Sequence, residues 1–248
     1  MLSLLAVFIV FLIWLATTEG GFVERKFLPS PIVIAREFAK LVSEGYIGTP
    51  LYSHVLASIF RTFTGFACGA AVAIPVGLAI GYSAPLQSVL SPFLAMLRPI
   101  PVIAYIPLVI LWFGIGEFSK ILLIAMTSFL YISVNASAGV KAVGIDLIHA
   151  AQSLGVSQRQ LFNHVVFPES LPYIFAGLRI GAGVSWAVVV AAELVAAQRG
   201  LGYMIMDAAT FFRIPVVYVG IVLIGAIGFL IDRMIALAER RFVHWHRP

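Results

Sequence analysis

No charged residue falls between Thr62 and Leu97. As a single helix that stretch would reach about 54 Å, well beyond the ~30 Å of a bilayer's hydrocarbon core, so it must hold more than one crossing. Further runs free of Asp, Glu, Lys and Arg occupy residues 1–18, 99–116, 121–140, 180–192 and 214–231. A soluble domain carries roughly 25% charged and about 45–50% apolar residues. This chain of 248 residues is 11% charged and 61% hydrophobic. One soluble core cannot enclose that much apolar side chain, so lipid must be the solvent for most of it.

The stretch Tyr82-Ser83-Ala84-Pro85 is the natural break in the long run, because proline and small polar residues favour a turn. The sequence therefore predicts an all-α membrane protein, a single domain over residues 1–248, with about six transmembrane helices. These fall near residues 1–18, 54–82, 86–113, 119–139, 173–197 and 214–237. Residues 1–18 lack the basic leader and the cleavage site of a secretory signal and read as a first spanning helix. Gly65 and Gly69, Gly77 and Gly81, and Gly177 and Gly181 are spaced to let helix backbones approach closely. Three polar connections remain: residues 19–53, which contain an amphipathic stretch at 32–42, residues 141–172, and residues 198–213.

Six crossings put both termini on one side, and the basic tail with Arg233, Arg240, Arg241 and Arg247 argues for the cytoplasm. Arg25, Lys26, Arg36 and Lys40 in the first connection argue the other way. The net charge of +5 is scattered, which fits contact with an anionic lipid surface and not nucleic acid. Cys68 is the only cysteine, so no intrachain disulfide can form. There is no G-x-x-x-x-G-K-[ST] phosphate loop, hence no usual means of holding ATP. No spacing suggests a catalytic triad, so no catalytic residue is assigned. His244-Trp245-His246 reads as tail and not as a metal site, and no metal ligand is assigned.

The most informative segment is residues 149–168. It reads as two short helices about a turn. Gly155 suits the left-handed end of the first helix, and Ser157 with Gln160 makes a capping box for the second. Pro168 and Pro172 bound the entry to the next spanning helix. Ile145, Ile148 and Leu154 alternate with Asp146, His149 and Gln152, giving a half-apolar knob suited to a groove on another protein. The alternative is a helical hairpin lying in the lipid interface.

This segment resembles the cytoplasmic loop of ABC importer permeases, whose pattern runs Glu-Ala-Ala, three residues, Gly, nine residues, Ile, one residue, Leu-Pro. Ala150 and Ala151 match the alanines and Gly155 the glycine. Val165 stands for the isoleucine, and Phe167-Pro168 for Leu-Pro. His149 stands in place of the acidic residue, a departure that removes that carboxylate and leaves the rest of the pattern intact. Arg98-Pro99-Ile100-Pro101, Ile106-Pro107-Leu108, Trp112-Phe113-Gly114, Gly177-Leu178-Arg179, Ala191-Ala192-Glu193-Leu194 and Arg199-Gly200-Leu201-Gly202 resemble the branch that imports taurine, aliphatic sulfonates and nitrate, taurine permeases above all. The resemblance implies a type I importer permease (MetI-like) fold and a homodimer of two permease copies in the bacterial inner membrane, both termini cytoplasmic. It implies a cytoplasmic ATPase dimer, which holds ATP and Mg, and a periplasmic solute-binding protein. The permease itself holds no cofactor and is not an enzyme. It assigns coupling to the ATPase to the loop at residues 141–172, with His149, Ala150, Ala151, Ser153, Leu154, Gly155, Val156, Ser157, Arg159, Val165 and Pro168. Nitrate, bicarbonate, an aromatic carboxylate or a vitamin precursor are alternative substrates within that family.

Ionisable residues inside the membrane are costly and mark function by default. Arg98 falls well inside the third expected crossing, beside Pro99 and Pro101, where broken helical hydrogen bonding exposes backbone polar groups. It could meet a sulfonate or nitrate in a pathway, or simply anchor a helix end. Trp186 and Glu193 are further pathway candidates. Packing or a lipid-facing position explains Trp186 equally well, and reaching to the interface explains Arg61, Arg179 and Glu193. A stand-alone secondary transporter is the rival class. It would need its own ion-coupling carboxylates in the membrane, and only Glu193 is a candidate.

Overall fold

The computed structural model describes residues 2–20 and 27–245. Arg25, Lys26, His246 and Arg247, weighed above, lie outside the described residues. In chain order the helices are α1 (Leu2–Glu19), α2 (Pro31–Glu44), α3 (Leu51–Tyr82), α4 (Ala84–Leu97), α5 (Ile106–Phe113), α6 (Glu117–Lys141), α7 (Ile145–Ser153), α8 (Gln158–Leu161), α9 (Phe167–Ala196), α10 (Leu201–Thr210) and α11 (Ile214–Phe242). A 3₁₀ turn (Val102–Tyr105) precedes α5, and a π turn (Phe162–Val166) joins α8 to α9. Among the described residues there is no strand, only an isolated bridge between Tyr46 and Thr49. The all-α architecture expected from the sequence is therefore present.

Among the described residues four helical stretches have the length and apolar content to cross a membrane: Leu51–Tyr82, Glu117–Lys141, Gln158–Ala196 and Ile214–Phe242. A fifth exists if Ala84–Leu97 and Val102–Phe113, bent by 83° from one another, count as one broken span. The sequence led us to expect about six. In α1 the apolar stretch Phe8–Glu19 is shorter than a span. The break at Ser83 falls where it was expected, with Ser83 extended ahead of α4. The third expected crossing is not one helix. Pro99 and Pro101 cannot donate to the ladder, and their rings clash with the preceding turn, so the chain bends there. The fifth was expected to start near Tyr173, with Pro168 and Pro172 as its boundary. Instead the helix begins at Gln158 and carries Pro172 inside it. The π turn lies directly before Phe167-Pro168 and absorbs the local loss of regular hydrogen bonding without ending the helix.

Two units are distinguished, Met1–Ser58 with Glu193–Ala226, and Ile59–Ala192 with Ile227–Pro248. In the second, α6 is held between α3 and α9 by close backbone approach. Gly65, Gly69, Ala73, Gly77 and Gly81 recur every fourth residue along α3, and Ala73 is fully buried. A Cβ on Gly69 would stand 2.5 Å from the Ala125 carbonyl oxygen, and one on Gly81 2.6 Å from Val140 Cβ. On the α9 side, a Cβ on Gly177 would stand 2.7 Å from Asn135 Cβ. Lipid gives helices no hydrophobic reason to associate, so small residues that permit close packing supply the attraction. The buried hydroxyls of Thr127 and Ser128 donate to the carbonyls of Leu123 and Ile124 at 2.8 and 2.9 Å, which satisfies them within α6.

Two arginines of this unit, Arg61 and Arg179, are paired with carboxylates. Arg61 does not reach for an interface. It is buried and binds Glu117 side-on, at 2.5 and 2.7 Å, with Lys120 adding a contact at 3.2 Å. That geometry matches both carboxylate oxygens to the planar guanidinium. Arg179 is partly exposed and pairs with Asp232 of α11 at 3.0 and 3.1 Å.

The first unit contains α2, whose Ile34 and Leu41 are buried, and α10, whose Leu201, Met204 and Ala208 are fully buried. The Tyr46 hydroxyl donates to Asp207 at 2.6 Å, and the Arg213 guanidinium lies 5.7 Å from the Tyr46 ring centroid. Burial, then the neighbouring Asp207 carboxylate, hold the Tyr46 phenol above its usual pKa, so it stays a donor at any physiological pH.

Candidate functional site

The knob is built from α7, a turn and α8. α7 ends at Ser153 with Leu154 as its C-cap, and Gly155 follows with φ +75°, in the left-handed region that a side chain with a Cβ disfavours. Ser157 caps α8 reciprocally: the Gln160 N–H donates to Ser157 Oγ at 3.3 Å, and the Ser157 N–H donates to Gln160 Oε1 at 2.9 Å. The Tyr82 hydroxyl donates to Gln158 Oε1 at 3.0 Å, and the Tyr82 ring meets Phe162 edge-on at 5.2 Å between centroids. The end of α3 is thus fastened to the start of α8.

The knob has two faces. Ile148, Ala151, Val156 and Val165 are partly buried and pack on a core of Leu78, Ala136, Val140, Leu161, Val166 and Ile174. Pro168, partly buried, sits at the start of α9. Ile145, Leu147, His149, Ala150, Ser153, Ser157 and Arg159 are exposed. Leu154 is 82% exposed beside the turn. Folding alone gives no reason to place a leucine there. Exposed apolar side chains grouped on a protruding turn mark an interaction surface.

The second candidate region is the bend after α4. Arg98 is exposed at the end of that helix, and with Pro99 and Pro101 it lines a cavity of about 250 Å³ closed by Leu130, Tyr131, Val184 and Val188. Arg98 also lines a second cavity of about 240 Å³ with Ser91, Ser137 and Lys141. Neither lining includes a carboxylate among the described residues. The bend therefore gathers Arg98, Pro99 and Pro101, but the other two pathway candidates have different neighbours. Trp186 is buried, and its ring stands 3.1 Å from where a Cβ on Gly228 would be.

Glu193 is fully buried instead of reaching an interface. It accepts from the Ser58 hydroxyl at 2.8 Å and from the Gly202 N–H at 2.9 Å, and the Leu201 N–H donates to Ser58 Oγ at 2.9 Å. The pair therefore caps α10, whose own N-cap residue, Gly200, has no side chain to do so. The partial positive charge of the helix start favours a carboxylate there. Gly200 has φ +135°, and a Cβ on it would collide with the Glu193 carboxylate. Sequence reasoning missed Ser58 and His54, whose Nδ1 lies 3.2 Å from the Gly200 carbonyl. The one available signal was a lone glutamate followed by Gly-Leu-Gly.

Residues 73–244 match the family described as binding-protein-dependent transport system inner membrane component. The chain is 40% identical over 235 residues to the taurine transport system permease protein of Escherichia coli (strain K12), covering 94% of this chain and 86% of the relative. It is 36% identical over 245 residues to a putative aliphatic sulfonates transport permease protein of Bacillus subtilis (strain 168), covering 99% and 87%. It is 33% identical over 239 residues to the nitrate import permease protein of a Synechocystis strain, covering 94% and 86%. Among solved structures, an inward-facing form of the MetNI methionine ABC transporter matches with TM-score 0.69 and 21% identity, over 77% of this chain and 95% of that one. That likeness concerns the fold alone.

Proposed function

The chain belongs to the family of binding-protein-dependent transport system inner membrane components, and we propose that it carries a small sulfonate, taurine first among them, into the cell. It is a multi-pass membrane protein and the type I permease subunit of an ABC importer, a transport component and not an enzyme. The knob carries the remainder of the reading. Its inner face is packed and its outer face, with Leu154 at the turn, is open to a groove on a partner. The partner is a cytoplasmic ATPase dimer, which holds ATP and Mg. Closure of that dimer moves the knob, and α3 and α9, which hold it, transmit the displacement. A second permease copy completes the pathway, which opens first outward to a solute-binding protein and then inward.

On this reading the knob and both termini are cytoplasmic, as the basic end of α11 favours, and the segments preceding α3 and α11 face outward. Sulfonate is supported by the likeness to taurine and aliphatic sulfonate permeases and by Arg98 in a lining without carboxylates. Nitrate is a second reading, favoured by the nitrate import relative. The test is uptake of labelled taurine into proteoliposomes holding the permease, its ATPase and its binding protein. Uptake should require all three and ATP, and excess unlabelled nitrate should not compete. Competition by nitrate would reassign the substrate, and uptake without ATPase would overturn the importer reading.

Arg98→Gln should lower maximal uptake by about tenfold or more, the value of one charge-assisted hydrogen bond at roughly 1.5–3 kcal/mol. Arg98→Lys should retain part of it. Wild-type uptake by a well-expressed Arg98→Gln permease removes Arg98 from the pathway.

A further inference from the structure

Among the described residues two that are not glycine have positive φ, Ile47 at +46° and Phe212 at +55°. Both are large and apolar, and both are exposed, at 57% and 85%. Each occupies a position whose backbone geometry calls for a different residue. Tyr46 and Thr49 exchange backbone hydrogen bonds at 2.8 and 3.0 Å, so Ile47 and Gly48, both with positive φ, form a two-residue hairpin loop. That loop favours Asn-Gly, and a β-branched residue at its first position is a steric outlier. At the end of α10 the Arg213 N–H donates to the Ala208 carbonyl at 2.8 Å, and the Phe212 N–H to the Ala209 carbonyl at 3.1 Å. This is a Schellman ending with Phe212 at the position normally held by glycine. Burial repays neither departure, because both side chains point away from any core.

The two turns are fixed to each other. Tyr46, beside Ile47, binds Asp207 of α10, and Arg213, beside Phe212, lies over the Tyr46 ring. Beside them is a cavity of about 490 Å³, whose charged lining residues are Lys40, Arg213 and Glu37, two cations to one carboxylate. Strain held at a defined site without a packing return points to function. A fluid lipid surface accepts an apolar side chain in almost any backbone geometry and gives strain no use. A folded partner rewards side chains held in one place.

We propose that Ile47 and Phe212 are apolar anchors that dock the importer's solute-binding protein, with an acidic side chain of that protein entering the cavity of Lys40 and Arg213. The inference rests on the importer reading above, which puts both turns on the outward face. The occupant follows from the family's dependence on a binding protein and from the excess of positive charge in the cavity.

The test uses the full complex in lipid nanodiscs, with ATP hydrolysis titrated against taurine-loaded binding protein. Ile47→Asn and Phe212→Gly relieve the backbone, so each should raise the melting temperature, by about 2–4 °C per increment of this kind. Each should also raise the half-saturating concentration of binding protein about tenfold, the size of an interface hot spot. The effect should fall on half-saturation and not on the rate at saturation. Lys40→Glu should weaken docking and Lys40→Gln should reduce its salt dependence. An unchanged half-saturating concentration in both anchor variants overturns the proposal, and so does a shift that depends on the anionic lipid content of the disc. If binding protein does not stimulate the wild-type complex at all, the importer reading itself falls and this inference with it.

Discussion

Glu193→Ala should destabilise the permease by roughly 1–3 kcal/mol, since it orphans the buried Gly202 N–H. The fully buried Ser58 hydroxyl would lose its 2.8 Å partner and keep the longer contact to the His54 carbonyl at 3.4 Å. The start of α10 would also lose the negative charge that complements its dipole. Glu193→Gln keeps an acceptor and the side-chain shape, so it should cost less. Gly200→Ala should mimic the alanine variant from the other side, because its Cβ would displace the carboxylate and its φ of +135° is strained for any other residue. Thermal unfolding in detergent micelles, followed by tryptophan fluorescence, reads all three. If Glu193→Ala melts with the wild type while transport is lost, the carboxylate serves the pathway and its capping role is dispensable.

The same residue shows where the sequence stops being informative. Composition and charge-free runs identify a membrane protein, because they depend only on the solvent each segment must meet. The break at Ser83, the capping box of Ser157 and Gln160, and the left-handed turn at Gly155 are all local, so residues within four positions of one another specify them. The every-fourth-residue glycines of α3 predict close packing, and α6 is the helix they meet. What Glu193 meets is not local. Helical periodicity shows that a glutamate lies near one end of a span, and snorkelling is then the default account. Only the return of residues 200–202 to the same place reveals a cap. Arg61 is the same case, since Glu117 starts a different helix. Pro168 misled for the opposite reason. Proline ordinarily ends a helix, and nothing local announces that a π turn will carry the chain through.

Gly155→Val should leave the permease inserted and folded, yet reduce ATP-driven uptake by about tenfold. The size follows from roughly 1–2 kcal/mol for a β-branched residue held at left-handed φ, a factor of ten in the population of the native turn for each 1.4 kcal/mol. The effect must come from the backbone alone, because a Cβ at Gly155 has nothing within 4 Å to strike. Overall stability should therefore change little. The turn sets the angle between α7, which carries the exposed Leu147 and His149, and the Ser157 cap that fixes α8. Relaxing Gly155 to negative φ swings α7 and Leu154 away from the face that Ala151 and Val156 hold against the core. Gly155→Asn supplies the rescue, since asparagine tolerates that conformation and should restore uptake. Position is read independently by cysteines at Ser153 and Ser157 in a Cys68→Ala background, which should cross-link to the ATPase in wild-type geometry and less in Gly155→Val. Normal uptake by Gly155→Val, with both cysteines open to bulky reagents in the assembled complex, would show that ATP hydrolysis reaches the helices by some other surface.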